Sequence, residues 1–201
     1  MKYPAFFDKV EPIQLNDPLS QFLGAFENGD LEVTYLDCVK LAGHSCPTVA
    51  GAYLMALKGV EALYPDTLPQ RGRIKVEMRD ALTNGVTGVV GNVIAFIVGA
   101  SGPGGFKGIQ GNFSRNDLIA YDAPIQSEVR LTNLDTNETV QLDYNPSPIP
   151  PSPEMQPLMG KALRGQASAD ELARFGQLWQ ERVEKILLGK DLWDTMITVT
   201  R

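Results

Sequence analysis

The 201-residue sequence predicts an α+β fold: a mainly antiparallel sheet packed against buried apolar helices, with an amphipathic helix toward the C-terminus. Three observations carry that expectation. Two stretches, residues 49–63 and 82–106, are apolar almost all round, and the second holds no charged residue. Residues 73–79, 128–132 and 139–143 alternate apolar and polar side chains, as half-buried strands do. A capping box, Ser168-Ala169-Asp170-Glu171, opens a run with apolar residues at helical spacing.

Taken in order, Asp17-Pro18 starts a helix with Leu19, Phe22, Leu23 and Phe26 on one face and Asn28-Gly29 as its stop. Residues 31–35 read as a short strand and 36–41 as a helical turn carrying Cys38. Pro47 suits the first position of a helix, where its missing N–H would have had no partner, and Pro65 closes that helix. In residues 73–79, Ile74, Val76 and Met78 face the core. Gly85, Gly88 and Gly91 recur at spacing three in a helix-like run ending near Val98. Each glycine costs about 1 kcal/mol against alanine, so three together imply close packing, expected here against a second buried helix. Residues 117–121 read as a strand, and 128–143 as a hairpin turning at Asp135-Thr136-Asn137. Six prolines between Asn145 and Pro157 predict an extended, stiff connector. Leu172, Phe175, Leu178, Trp179, Val183, Ile186 and Leu187 then line one helix face, Gly189 ends it, and residues 196–200 add an edge strand. The expected organisation is a core over residues 1–145, a connector over 146–157, and a helical extension over 158–201 that packs on the core or on a dimer partner.

Composition narrows the function classes. A net charge of −6 with no conspicuous run of Lys and Arg argues against nucleic acid. The continuous apolar part of residues 82–106 falls short of the ~20 residues that a bilayer requires, so a buried helix is expected there. Two cysteines are too few for a disulfide scaffold and fit a reducing, cytoplasmic setting. The N-terminus reaches charge and proline before a signal-peptide core can form.

Chemistry concentrates at Ala42-Gly43-His44-Ser45-Cys46-Pro47-Thr48, which holds the only histidine and one of the two cysteines. A thiol at a helix N-terminus meets free N–H groups and the positive end of the helix dipole, an environment that favours thiolate. His44, two residues earlier, is positioned to turn toward the same spot. Downstream, the loop over residues 99–112, with Gly105 and Lys107, fits neither the phosphate-loop nor the dinucleotide pattern. It reads as a flexible border to a pocket, and Gly85 and Gly88 as places where a flat ligand or another backbone can approach.

Gly43-His44-Ser45-Cys46-Pro47, the small-residue helix after it, the alternating strand, the glycine-rich segment and Gly111-Asn112-Phe113 together resemble the FmdE family, which takes its name from formylmethanofuran dehydrogenase. That family's signature is roughly His-Gly-His-x-Cys-Pro-Gly with a later Gly-Lys-Gly-Asn stretch. The resemblance covers about residues 33–122, and residues 158–188 are similar to the tails of family members. It implies an α+β core that pairs into homodimers and a site at the His/Cys motif that holds a metal, often zinc. Carried over, His44 matches the second histidine and Cys46 the cysteine. Ala42 stands where the first histidine would be, Thr48 replaces the glycine, and neither the cysteines usual after the strand nor a cysteine-rich zinc-finger tail is present. Zinc wants three or four N/S ligands. The set His44, Cys46 and Cys38 requires Cys38 to face inward; otherwise Asp37, Asp80 or a partner's residue must contribute. The other readings are a metal-free thiol enzyme with Cys46 as nucleophile and His44 as base, a haem- or flat-cofactor-binding protein with His44 or Cys46 as axial ligand, and a dimeric scaffold whose site has decayed.

Overall fold

The computed structural model describes all residues, Met1–Arg201. Strands β1 (Ile13–Asn16) and β2 (Asp30–Val33) form a small antiparallel ribbon, with α1 (Pro18–Phe22) between them. Helices α2 (Tyr35–Ala42) and α3 (Pro47–Leu63) follow, then β3 (Ile74–Met78), α4 (Thr87–Val98), β4 (Ile119–Ala120), β5 (Val129–Asn133), β6 (Thr139–Tyr144), α5 (Met155–Leu163), α6 (Ala169–Leu188), α7 (Trp193–Met196) and β7 (Ile197–Thr200). The main sheet has the order β4-β3-β5-β6-β7 and is antiparallel except for the parallel β3–β4 pair. The α+β class and the mainly antiparallel sheet are as the sequence predicts.

α3 is the axis of the molecule. Its residues from Val49 to Leu57 are buried without interruption, because α2, α4, α6 and the sheet surround it. Its glycines serve the sheet side. A Cβ on Gly51 would lie 2.2 Å from the ring of Tyr144, which lies against the helix there and donates its hydroxyl to the Pro47 carbonyl at 3.0 Å. Tyr53, fully buried, reaches the carbonyls of Glu11 (2.7 Å) and Val33 (3.2 Å), so burying its hydroxyl leaves nothing unpaired.

Several local expectations are corrected. Asp17 does cap α1, accepting from the N–H groups of Leu19 and Ser20, but the helix stops at Phe22 and the chain turns at Gly24 in the left-handed region. Phe22, Leu23 and Phe26 are 62, 61 and 47% exposed, so most of the apolar face expected there is open to solvent. Tyr35 is the first residue of α2 rather than the end of a strand. Gly85 precedes α4 in a turn, at φ +51°. Gly88 and Gly91 do sit on α4, but they face the Leu82 carbonyl and the Tyr121 hydroxyl, not another helix. The charge-free run resolves into a 12-residue helix and loops, and no helix is long and apolar enough to cross a membrane.

The proline-rich stretch is extended only in part. α5 begins inside it at Met155, and Pro157 falls within the first helical turn, where a missing N–H costs nothing. Beyond it, α6 lies against α3, and β7 pairs with β6 in register Leu142↔Val199. Val183, Ile186, Leu187, Met196 and Ile197 belong to the same continuous core as Phe6 and Val49, so the C-terminal segment completes the central layer.

Candidate functional site

The motif lies in a tight connection between two helices. Thr34 opens α2 with a reciprocal capping box: its hydroxyl accepts from Asp37 N–H (3.2 Å), and the Asp37 carboxylate accepts from Thr34 N–H (3.0 Å). Gly43 ends α2 at φ +77°, a conformation that a side chain would strain, and its N–H bonds to the Val39 carbonyl. Cys46 is the N-cap of α3, with Pro47 at the first helical position as expected, and its Sγ accepts from Val49 N–H at 3.4 Å. Only His44 and Ser45 lie between the two caps.

Ser45 is held from both sides. Trp179 Nε1 and Gln180 Nε2, both on α6, donate to its carbonyl at 2.9 and 3.3 Å. Its hydroxyl donates to Gln180 Oε1 at 2.9 Å, so Tyr35, 3.0 Å away, supplies the proton of the remaining bond. Burial pushes the Tyr35 hydroxyl far above the ordinary tyrosine range, and the Ser45 bond offsets only part of that rise.

His44 is exposed, and its Nδ1 lies 3.0 Å from the Ala42 carbonyl. A carbonyl only accepts, so Nδ1 is the donor of this bond, and in the neutral ring the lone pair is on Nε2. Histidines that bind metal are usually oriented by such a bond from the opposite ring nitrogen. Cys46 is 7% exposed, so the two side chains differ in access: the imidazole stands in solvent and the sulfur lies at the edge of the core.

Cys38 is set apart by its burial. It is fully buried in α2, and burial, with the Asp37 carboxylate next to it, pushes its thiol up to about 12. No three His, Cys, Asp or Glu side chains gather closely enough within one chain to hold a metal ion, so His44, Cys46 and Cys38 do not form a single-chain ligand set. Asp37 is engaged by Thr34 and Lys40, and Asp80 pairs with Arg79 at 3.0 Å.

A hollow of about 430 Å³ opens beside the motif, with Leu41, Ala42, Val89, Asn92, Phe96 and Ser101 among its walls. Ala42, the first residue of the motif, is therefore at the edge of a cavity. Gly85, Gly88, Gly105 and Lys107 do not line it. Gly105 packs against Ser101 and Asn116 within its own loop, and Lys107 is exposed without an ion pair. The residues that sequence reasoning missed are Tyr35, Trp179 and Gln180 around Ser45 and Asn92 in the hollow. Trp179 carried a signal, its place on the apolar stripe of α6, but that signal reads as core.

No curated protein and no solved structure matches this chain. A family model does, over residues 41–191, from the last turn of α2 through the site and strands β3 to β6 to the residues just beyond α6: the match is to FmdE, molybdenum formylmethanofuran dehydrogenase operon, and the protein belongs to that family.

Proposed function

We propose that this FmdE-family protein is a metal-binding protein, with zinc as its metal, in which His44 and Cys46 supply ligands and a second copy of the chain completes the shell. The observation that carries the reading is the His44–Ala42 bond, which engages Nδ1 as donor and leaves Nε2, on a solvent-exposed ring, as the nitrogen free to meet a metal in the neutral form. The donor set, one imidazole and one sulfur per chain, suits zinc but is two ligands short of a closed tetrahedral site. Two copies related by a two-fold axis would supply four. Exposed apolar side chains support such pairing: Leu41 beside the motif is 47% exposed, and Leu82 and Val86, ahead of α4, are each 51% exposed. When bound, zinc would act there as a Lewis acid or a structural clamp. A role associated with the molybdenum formylmethanofuran dehydrogenase operon follows from family membership; that enzyme's own reaction does not.

Elemental analysis and an absorbance spectrum of the purified protein test the proposal, together with sedimentation before and after chelation. Bound zinc is expected, lost in Cys46→Ala and His44→Ala and largely kept in Cys38→Ala, with dimers that weaken on chelation. Metal-free native protein, or equal loss in the Cys38 and Cys46 variants, overturns it. A Soret band would replace the metal by haem. Rapid stoichiometric alkylation of a metal-free Cys46 would point to thiol chemistry with His44 as base.

A further inference from the structure

Arginines that are scattered in sequence meet at one place in the fold. Arg71 and Arg73 flank Gly72 just before β3, and Arg115 follows the glycine-rich loop. With Asn112, Phe113 and Asp135 they line a cleft of about 460 Å³. Two carboxylates face these arginines. Asp17, 3% exposed, accepts from Arg71 Nη1 at 3.1 Å and from Arg115 Nη2 at 2.5 Å, and Asp135 pairs with Arg73. One positive charge is left over. The carbonyls at the end of α4 offset part of it: Arg71 donates to Phe96 and Ile97, and Arg115 reaches Gly99 at 3.5 Å. Such dipoles amount to a fraction of a charge, so the surplus is reduced and not cancelled.

The seat of Arg115 is built for it. The residue is 8% exposed yet borders the cleft, and its Nε–H has no acceptor within the chain. A Cβ on Gly72 or Gly99 would lie 2.4 or 2.3 Å from its Nη1, so the guanidinium occupies the space that two glycines leave open. Burial of Arg115 disfavours its charged form, which raises the value of any anion that replaces lost water. The segment around it is unusual too: Gln110, Phe113 and Asp117 all adopt left-handed backbone, at φ 49°, 61° and 56°. For an aromatic residue this is rare, and such strain collects at binding sites. The Phe113 ring stacks on the exposed Phe22 at 5.1 Å, giving the cleft a flat apolar rim.

We infer that this cleft binds a small organic acid, its single carboxylate taken by the arginine cluster and its flat body laid against Phe113. One surplus charge matches one carboxylate, whereas a phosphate dianion overshoots it, and the guanidinium fork fits carboxylate oxygens in pairs. The site does not depend on the metal reading at His44.

The test is calorimetric titration of the full-length protein with sodium benzoate at low ionic strength, run beside benzamide and inorganic phosphate. Benzoate is expected to saturate one site per chain, with benzamide and phosphate weaker by about tenfold or more, the scale of one charge-assisted hydrogen bond. Arg73→Ala, at a half-exposed position, is expected to keep the fold and to weaken benzoate by about tenfold. Arg115→Lys keeps the charge and is expected to weaken it as well through loss of the fork. Absence of saturable benzoate binding, benzamide or phosphate binding as tightly as benzoate, or native affinity in Arg73→Ala overturns the inference and leaves these arginines as caps of α4. Metal content, measured on the same samples, reports on His44 and Cys46 separately.

Discussion

Replacing Ser45 by alanine removes a hydroxyl that accepts from Tyr35 and donates to Gln180. Tyr35 is 0% exposed, so its hydroxyl is then stranded without water. A buried donor left unpaired costs about 1–3 kcal/mol, whereas deleting a donor together with its need for a partner costs about 0.5–1.5 kcal/mol. Ser45→Ala is therefore expected to cost about 2 kcal/mol and Tyr35→Phe about 1 kcal/mol. The double variant should cost no more than Ser45→Ala alone, because Tyr35→Phe removes the stranded group. The coupling between the two sites is then about 1 kcal/mol. Urea unfolding followed by tryptophan fluorescence reads this directly: with a slope of about 2–3 kcal/mol/M, Ser45→Ala lowers the midpoint by about 0.7–1 M. Additive costs would refute the argument, because they would mean that the two hydroxyls are satisfied independently. Metal retention should fall in Ser45→Ala as well, since the same hydroxyl holds the segment between His44 and Cys46.

Gly51→Ala places a methyl group 2.2 Å from the Tyr144 ring and should cost about 1–3 kcal/mol by urea unfolding, as overpacking does. Metal-free native protein should take up at most one equivalent of iodoacetamide at pH 8, at Cys46; the buried Cys38, with its thiol pushed up to about 12, should react only on unfolding, as mass spectrometry of the digest can show. The Arg130 hydrogen bond holds Glu77 below the ordinary glutamate range against its burial, with Lys75 assisting. Its contribution to stability is thus present above that range and lost as pH falls through it, and Glu77→Gln should flatten this acid limb in urea midpoints. Burial, joined by Asp143, raises Glu128 instead, so its contribution is full at low pH and lost as pH rises through its folded value; Glu128→Gln should be more stable than the native chain at pH 7, and a less stable variant would count against it.

Much of the fold was legible where periodicity carries it. β3, β5 and β6 alternate because each has one face on the core, and Ser168 with Glu171 announces α6 in four residues. The α2 cap was missed because it uses Asp37 where glutamate or glutamine is the usual signal. The triplet of Gly85, Gly88 and Gly91 misled because equal spacing says nothing about φ: Gly85 is a left-handed turn residue, and what fills the space over Gly91 is Tyr121, thirty residues away. Within the site, Cys46 as N-cap followed from Pro47 alone. The clamp on Ser45 joins residues 135 positions apart, and no local pattern encodes it. The arginine cleft was invisible for the same reason, because Arg115 reaches Asp17 across 98 positions.

The chain from Gly43 to Pro47 is fastened at each end by a helix terminus and in the middle by α6. A ligand arriving at the imidazole of His44 therefore has almost no main chain to immobilise; what it must still freeze is chiefly one side-chain rotor. Recognition at a surface set in advance loses little entropy, so affinity differences among metals or among variants of the neighbouring residues should surface as changes in residence time, with arrival rates nearly constant.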